Sequence, residues 1–453
     1  MPQAELPRKL GLLDSVAIVI GVVIGGGIFI VPNLVARSLP SSAWILACWI
    51  FAGAVSFFGA LACAELGAAL PATGGQYVFI RESYGPLAGF LCGWTTFLVA
   101  RTAQVAWLAV TFMLFASYFV RLSPVAIKAG ALTLCALFAA INYVGVHAGA
   151  LVQRAFMFAK LAGLAVIIAS AFLAPAHASA APATTGPVTL SSFGVAMIAC
   201  LLGYDGWVQM SFVAGEIRNP RRNILLALAM GVACTIVVYL LANLAYLRLL
   251  TIPEIAASDH VGAAAAERAM GPVGGTLISV LIMVSIIGTL NGCFLTSPRV
   301  YFAQARDGLF FRKFASVHPR FQTPGFAIVA QALWSAALVL TGSYDTLIDY
   351  AMFATWLFYG VMVAGVIVLR RRRPTLERPY KMWGYPWTAL LFLAVTLWFL
   401  INTAITRPVP ALAGLAFIAT GFPVYWIWRK SAFTQPLRES SSTREPKPAP
   451  ETT

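Results

Sequence analysis

The sequence predicts an all-α polytopic membrane protein with twelve transmembrane helices, of which the first and sixth are discontinuous. Two observations carry this. Hydrophobic residues make up 60% of the 453 and charged residues only 10%, whereas soluble domains carry about 25% charged residues. Two apolar stretches also break at their centres: Ile18 to Ile30 reads IVIGVVIGGGIFI, and Ala199 to Trp207 reads ACLLGYDGW. An unwound backbone in hydrocarbon is costly, because no water is present to pair its N–H and C=O groups. Paired breaks of this kind mark discontinuous helices whose ends build a binding site at the membrane midplane.

The expected spans are 14–36, 43–69, 86–118, 124–143, 150–174, 190–213, 223–250, 272–303, 325–342, 346–369, 386–405 and 409–428. A bilayer core of about 30 Å takes roughly 20 helical residues, and each stretch is of that order. The opening residues lack the pattern of a cleavable leader, so the first stretch is read as a span. The odd loops hold only Arg37, Arg121, Arg248, Arg268 and Arg407 as basic residues. The N-terminus, the even loops and the C-terminal tail hold the majority of the rest. The positive-inside rule then places both termini in the cytoplasm of a plasma (bacterial inner) membrane protein.

This gives a cytoplasmic N-terminus (1–13), a first five-helix half (14–174), an external loop (175–189), a second five-helix half (190–369), a cytoplasmic basic loop (370–385), two further helices (386–428) and a disordered tail (429–453). The breaks open the two halves, as in an inverted repeat. Residues 251–270 are too polar to span and are expected to form a short helical cap on the outer face.

Several function classes are excluded by composition. The net charge of +15 is spread over short loops, so nucleic acid is not an expected partner. The seven cysteines all lie in apolar stretches without a CxxC pair, which argues against a disulfide framework or a metal site. The four histidines are scattered in or near loops. No acid–base, nucleophile or metal cluster stands at membrane depth, so neither a cofactor nor an enzyme is expected.

The breaks suggest what is bound instead. Asp14 to Ile24 makes a half-helix of about 16 Å, which reaches the midplane. A second half-helix starts near Gly27, and its free amides and positive dipole end suit a carboxylate. The carbonyls of Val22, Val23 and Ile24, with those near Leu202 and Gly203 in the sixth span, suit an ammonium. Amides on one side and carbonyls on the other match an α-amino acid zwitterion. Taken alone, Gly25, Gly26 and Gly27 fit close helix packing equally well.

The runs IGVVIGGGIFIVP, AELGAALPATGGQYVFIRESYG (Ala64 to Gly85), YDGWVQMSFVAGEIRNPRRNI (Tyr204 to Ile224), ARDG (Ala305 to Gly308) and ERPYKMWGYP (Glu377 to Pro386) resemble the amino acid–polyamine–organocation superfamily. The resemblance extends over roughly residues 10 to 430 and is nearest to the bacterial L-type amino-acid-transporter-like permeases. It implies the LeuT-type fold, a five-plus-five inverted repeat with two extra helices, and amino-acid transport by alternating access. It assigns Val22, Val23, Gly25, Gly26 and Gly27, with Leu202, Gly203 and Asp205, to the substrate site. Leu202 stands where relatives carry an aromatic gate, and Tyr204 or Trp207 could serve in its place.

Ionisable residues at membrane depth are costly and usually functional. Lys160 lies about 16 Å into the fifth span if helical. The resemblance makes it a cation in place of sodium, bridging the first and eighth helices; it could instead release a proton during the cycle. Arg101 and Gln104 in the third span line the pathway or pair with an acid, Asp205 being one candidate. Asn291 is expected to face the broken first helix. Glu65 is read as a structural cap or inner-gate partner.

The expected activity is secondary transport of neutral α-amino acids, by exchange or proton symport, in contact with the lipid bilayer. The alternatives are a transporter of polyamines or cationic amino acids, and a non-transporting sensor on the same scaffold. Animal relatives join a heavy subunit through a cysteine after the third helix; none stands at Val120 to Ser123, so no disulfide-linked partner is expected.

Overall fold

A computed structural model of the chain describes residues 6–175 and 188–432. Most of the expected external loop and the tail from residue 433 lie outside the described residues. The first span is a broken pair, α1 (Leu12–Val23) and α2 (Gly27–Ser38), bent by 44°. The second is α3 (Ser42–Ala69), and α4 (Gln76–Tyr84) precedes the third. That third span runs through α5 (Pro86–Thr95), a π turn (Thr96–Ala100) and α6 (Arg101–Ala116). The fourth and fifth are α7 (Pro124–Val144) and α8 (Val146–Leu173).

The sixth span consists of α9 (Leu190–Gly203), an irregular turn and α10 (Gln209–Phe212). Then come α11 (Pro220–Leu249), the short α12 (Ile252–Ala257) and α13 (Val261–Met270), and α14 (Pro272–Thr296), extended past Ser297 by α15 (Pro298–Arg306). The last four are α16 (Gly325–Thr341), α17 (Tyr344–Arg372), α18 (Trp387–Thr406) and α19 (Pro408–Ala432). Among the described residues nine helices are long and apolar enough to cross a bilayer, and the bent pair makes a tenth. The shorter apolar α9 and α16 take the sixth and ninth positions. This is the expected all-α LeuT-type architecture.

Local chemistry sets the ends. Ser41, Ser123 and Thr189 each accept the amide three residues on, satisfying a donor that the first turn cannot. Thr251 and Glu254 form a capping box at α12. Gly206, at φ +117°, turns the chain between α9 and α10 in a conformation that a side chain would strain. The cap expected at 251–270 is α12 and α13. It is fastened to α2 by Arg37, whose Nε donates to Ala256 O at 2.8 Å, and by Asn33, which donates to Ser258 O.

On the face that carries the N-terminus, Lys9 and Leu10 donate their amides to Glu216 O at 2.8 and 2.9 Å. Glu216 and Arg299 form a wholly buried ion pair, Nε to Oε1 2.7 Å. Nearby, Arg81 pairs with Asp307 and with Glu82, and Arg373 reaches Glu82 at 2.7 Å. Burial disfavours the Glu82 charge, but the Arg373 hydrogen bond and the Arg81 charge outweigh it and hold the carboxyl below its ordinary range. A lowered folded-state pKa gives stability that is present above the ordinary carboxylate range and lost as pH falls through the shifted value. Glu82→Gln should therefore unfold earlier than the parent at pH 7, with the gap closing below about pH 4. Thermal unfolding in detergent at both pH values checks this, and a gap independent of pH would exclude the charge as its source.

Candidate functional site

The two breaks meet. A Cβ built on Gly27 would lie 3.4 Å from the Gly203 Cα, so the start of α2 rests on the end of α9. Beside Gly26 there is open space, with nothing within 4 Å of its Cβ position. The amides of Gly26, Gly27 and Ile28 find no acceptor among the described residues, as expected for a helix start. Gly25 and Gly27 are partly exposed, as are Leu202 and Asp205 of the sixth span.

The carbonyl side differs from expectation. Ile24 O already accepts from Lys160 Nζ at 2.6 Å and Ser285 Oγ at 2.8 Å. Val23 O accepts the Gly25 amide at 2.8 Å. The Tyr239 hydroxyl of α11 lies 2.9 Å from Val23 O and 3.0 Å from Gly203 O, sharing one hydrogen between both breaks. Leu202 O accepts the Asp205 amide at 3.2 Å and the Tyr204 amide as well. A carbonyl has two lone pairs, so the Val22 oxygen and one lone pair of Gly203 are what the described residues leave for an ammonium. The broader set of Val22, Val23, Ile24, Leu202 and Gly203 is corrected accordingly, because the fold consumes the others in holding the breaks open.

Lys160 is fully buried. Besides Ile24 O, its Nζ donates to Gly21 O at 2.8 Å and Ser285 O at 3.2 Å, on α1 and α14. Thr289 Oγ1 adds a contact to Gly21 O at 3.2 Å. Three carbonyl oxygens around one ammonium match its three donors, so the cation ties α8 to the first break and the eighth span.

Asn291 turns away from the first helix. Its Nδ2 donates to Gly149 O (3.0 Å) and Gln153 Oε1 (2.7 Å), and its Oδ1 accepts from Asn142 (3.0 Å). Gln153 in turn lies 3.4 Å from Ala17 O. The residue of α14 that faces Val22 is Gly292. The expectation for Asn291 is corrected: the four-residue string it joins leads to α7 and α8, and it reaches α1 only through Gln153.

Below the sixth-span break is a polar cluster. Arg101 donates to Gln104 Oε1 at 2.8 Å and to the Tyr359 hydroxyl at 3.4 Å, and stands 3.9 Å from Asp205. Tyr359 donates to Asp205 Oδ1 at 2.6 Å. Gln209 lies 3.5 Å from Gln104 and accepts from Thr296 at 3.1 Å. Arg101 thus meets the acidic residue suggested for it, with Tyr359 between.

Tyr204 and Trp207, the aromatic rings nearest in sequence to Leu202, are both packed inside the protein. Tyr204 is buried against Trp49 and Tyr239, with ring centroids 5.7 and 5.0 Å away. Trp207 is buried against Tyr359 at 5.1 Å. Glu65 is remote from the breaks. It accepts from Arg370 at 2.8 and 2.7 Å and from the Met382 amide at 2.7 Å, anchoring the loop that follows α17. Tyr239, Ser285, Thr289, Tyr359 and Gln153 were missed by reading the sequence. Ser285 and Thr289, hydroxyls four residues apart in an apolar helix, were the one legible signal among them.

The family model described as amino acid permease matches residues 10–427. The Serine/threonine exchanger SteT of Bacillus subtilis (strain 168) is 34% identical over 94% of this chain and 98% of its own length. The b(0,+)-type amino acid transporter 1 of Rattus norvegicus is 29% identical over 94% of this chain and 88% of its own. The Large neutral amino acids transporter small subunit 2 of the same species is 33% identical over 93% and 81%.

Proposed function

This chain belongs to the amino acid permease family, and on that premise we propose that it exchanges neutral α-amino acids across the membrane by alternating access. The observation that carries the reading is the meeting of the two breaks. Free amides at Gly26, Gly27 and Ile28 face a space left open beside Gly26, and unfilled carbonyl capacity remains at Val22 and Gly203. The carboxylate takes the amide end of α2, and the ammonium takes the two carbonyl groups. The side chain is then sorted by the part-exposed Leu202 and its neighbours.

Lys160 serves as a fixed cation in this scheme. Held by three carbonyls, it neutralises the negative dipole end of α1 at the break. The Arg101–Tyr359–Asp205 cluster closes the route beneath the site and opens when the two five-helix halves, 14–174 and 190–369, move against each other. The basic N-terminal face is the cytoplasmic one.

Counterflow in proteoliposomes tests the reading, with labelled Ala, Ser, Leu, Phe, Arg, Glu and putrescine, with and without a pH gradient. The expected result is trans-stimulated flux of neutral amino acids that is indifferent to the gradient. Uptake driven by the gradient would replace exchange with proton symport. Flux of putrescine alone would overturn the substrate class, and no flux of any compound would move the sensor reading to the front.

A further inference from the structure

The loop between α17 and α18 is fixed from within. Glu65 holds Arg370 and the Met382 amide, Arg370 lies over the Tyr385 ring at 3.8 Å, and Arg378 donates to the carbonyls of Leu369, Arg373 and Leu376 at 2.9–3.0 Å. What this loop and the helix ends that flank it present outward is unusual. Trp383 is 71% exposed and Trp387 77% exposed. The exposed Arg371 and Lys381 form no ion pair with any described residue. The loop's one acidic residue, Glu377, is taken by Arg221 through two 2.8 Å bonds. Positive charge is therefore left uncompensated in the segment that carries two exposed indoles, Trp383 and Trp387, up to the start of α18.

We infer that this loop is a binding site for the headgroup of an acidic phospholipid in the leaflet at the N-terminal face. Indoles settle at the level of lipid headgroups because one edge is apolar and the other carries an N–H donor. Cations beside them add attraction to a phosphodiester or phosphatidylglycerol-type headgroup, which fades within a Debye length. Ordering costs little, because the Glu65 anchor has already fixed the loop. The same anchor ties the loop to α3 and α17, and α17 carries Tyr359 of the polar cluster, so the lipid would bear on the transporting core. The inference is independent of which substrate is moved.

The test is lipid enrichment around the whole protein. Nanodiscs of phosphatidylcholine with a minor fraction of labelled phosphatidylglycerol are compared with the bulk mixture. Wild type should enrich the acidic lipid. Each charge removed in Arg371→Gln and Lys381→Gln should lower the enrichment about fivefold, the usual strength of one cation at an anionic surface. Trp383→Ala with Trp387→Ala should lower it as well, and Arg121→Gln on the opposite face should leave it unchanged. Full enrichment in the doubly neutralised protein would overturn the inference, as would equal loss in the Arg121 variant. Displacement of the label by soluble glycerophosphate at similar concentration would overturn it too, since the site would then read free phosphate.

Discussion

Gly26→Leu is expected to abolish substrate binding while leaving the protein folded. The substitution suits the backbone, because Gly26 has φ −69° and ψ −15°, an ordinary helical conformation. It also suits the packing, because a Cβ there meets nothing within 4 Å. The added side chain therefore fills the space in front of the α2 amides rather than straining the fold. A carboxylate that loses charge-assisted bonds to such amides loses roughly 1.5–3 kcal/mol for each one, so affinity should fall more than 100-fold. Substrate-induced thermal stabilisation gives the readout. A normal melting temperature without substrate, together with no shift on its addition, is the expected pattern. Unchanged affinity would move the carboxylate site elsewhere. Gly203→Ala is a poorer test, because its Cβ would press on Trp49 at 3.3 Å and confuse packing with binding.

Lys160→Ala is expected to suppress exchange at least tenfold at every pH while sparing insertion into the membrane. Removing the ammonium strips a donor from Gly21, Ile24 and Ser285 at once. Each buried hydrogen bond lost from a charged donor costs about 1.5–3 kcal/mol, and only the Ser285 and Thr289 hydroxyls then remain on Ile24 O and Gly21 O. Expression and detergent extraction report insertion, and counterflow between pH 5 and 8 reports transport. Normal exchange across that range would remove the lysine from the mechanism. Gly288→Ala is a gentler probe of the same position, since its Cβ would sit 3.0 Å from Nζ and displace the cation without deleting it.

Both breaks were legible because glycine clusters in an apolar run have few other uses, and the structure ends α1 at Val23 and starts α2 at Gly27. Lys160 was legible because a charge at that depth needs a reason. The facing of Asn291 was not. Its helix is mostly apolar, and its one short polar stripe, Ser285 with Thr289, leaves Asn291 out. Tyr239 escaped for the same reason, a phenol in a thirty-residue apolar helix that meets both breaks only after the chain has folded. The carbonyl side of the site was over-counted because a sequence shows which groups a break frees. It does not show which neighbours reclaim them.

The hydrogen that Tyr239 shares between Val23 O and Gly203 O has a mechanical meaning. A bond divided between two acceptors stiffens toward whichever approaches and slackens toward the other. Small tilts of one half-helix are then compensated at its counterpart, while outright separation loses both contacts. A phenol so placed would act as a pivot pin, letting the two broken helices swing about a common point while resisting their being pulled apart. Tyr239→Phe should leave the two breaks joined to each other by packing alone, and a lower melting temperature in detergent checks this.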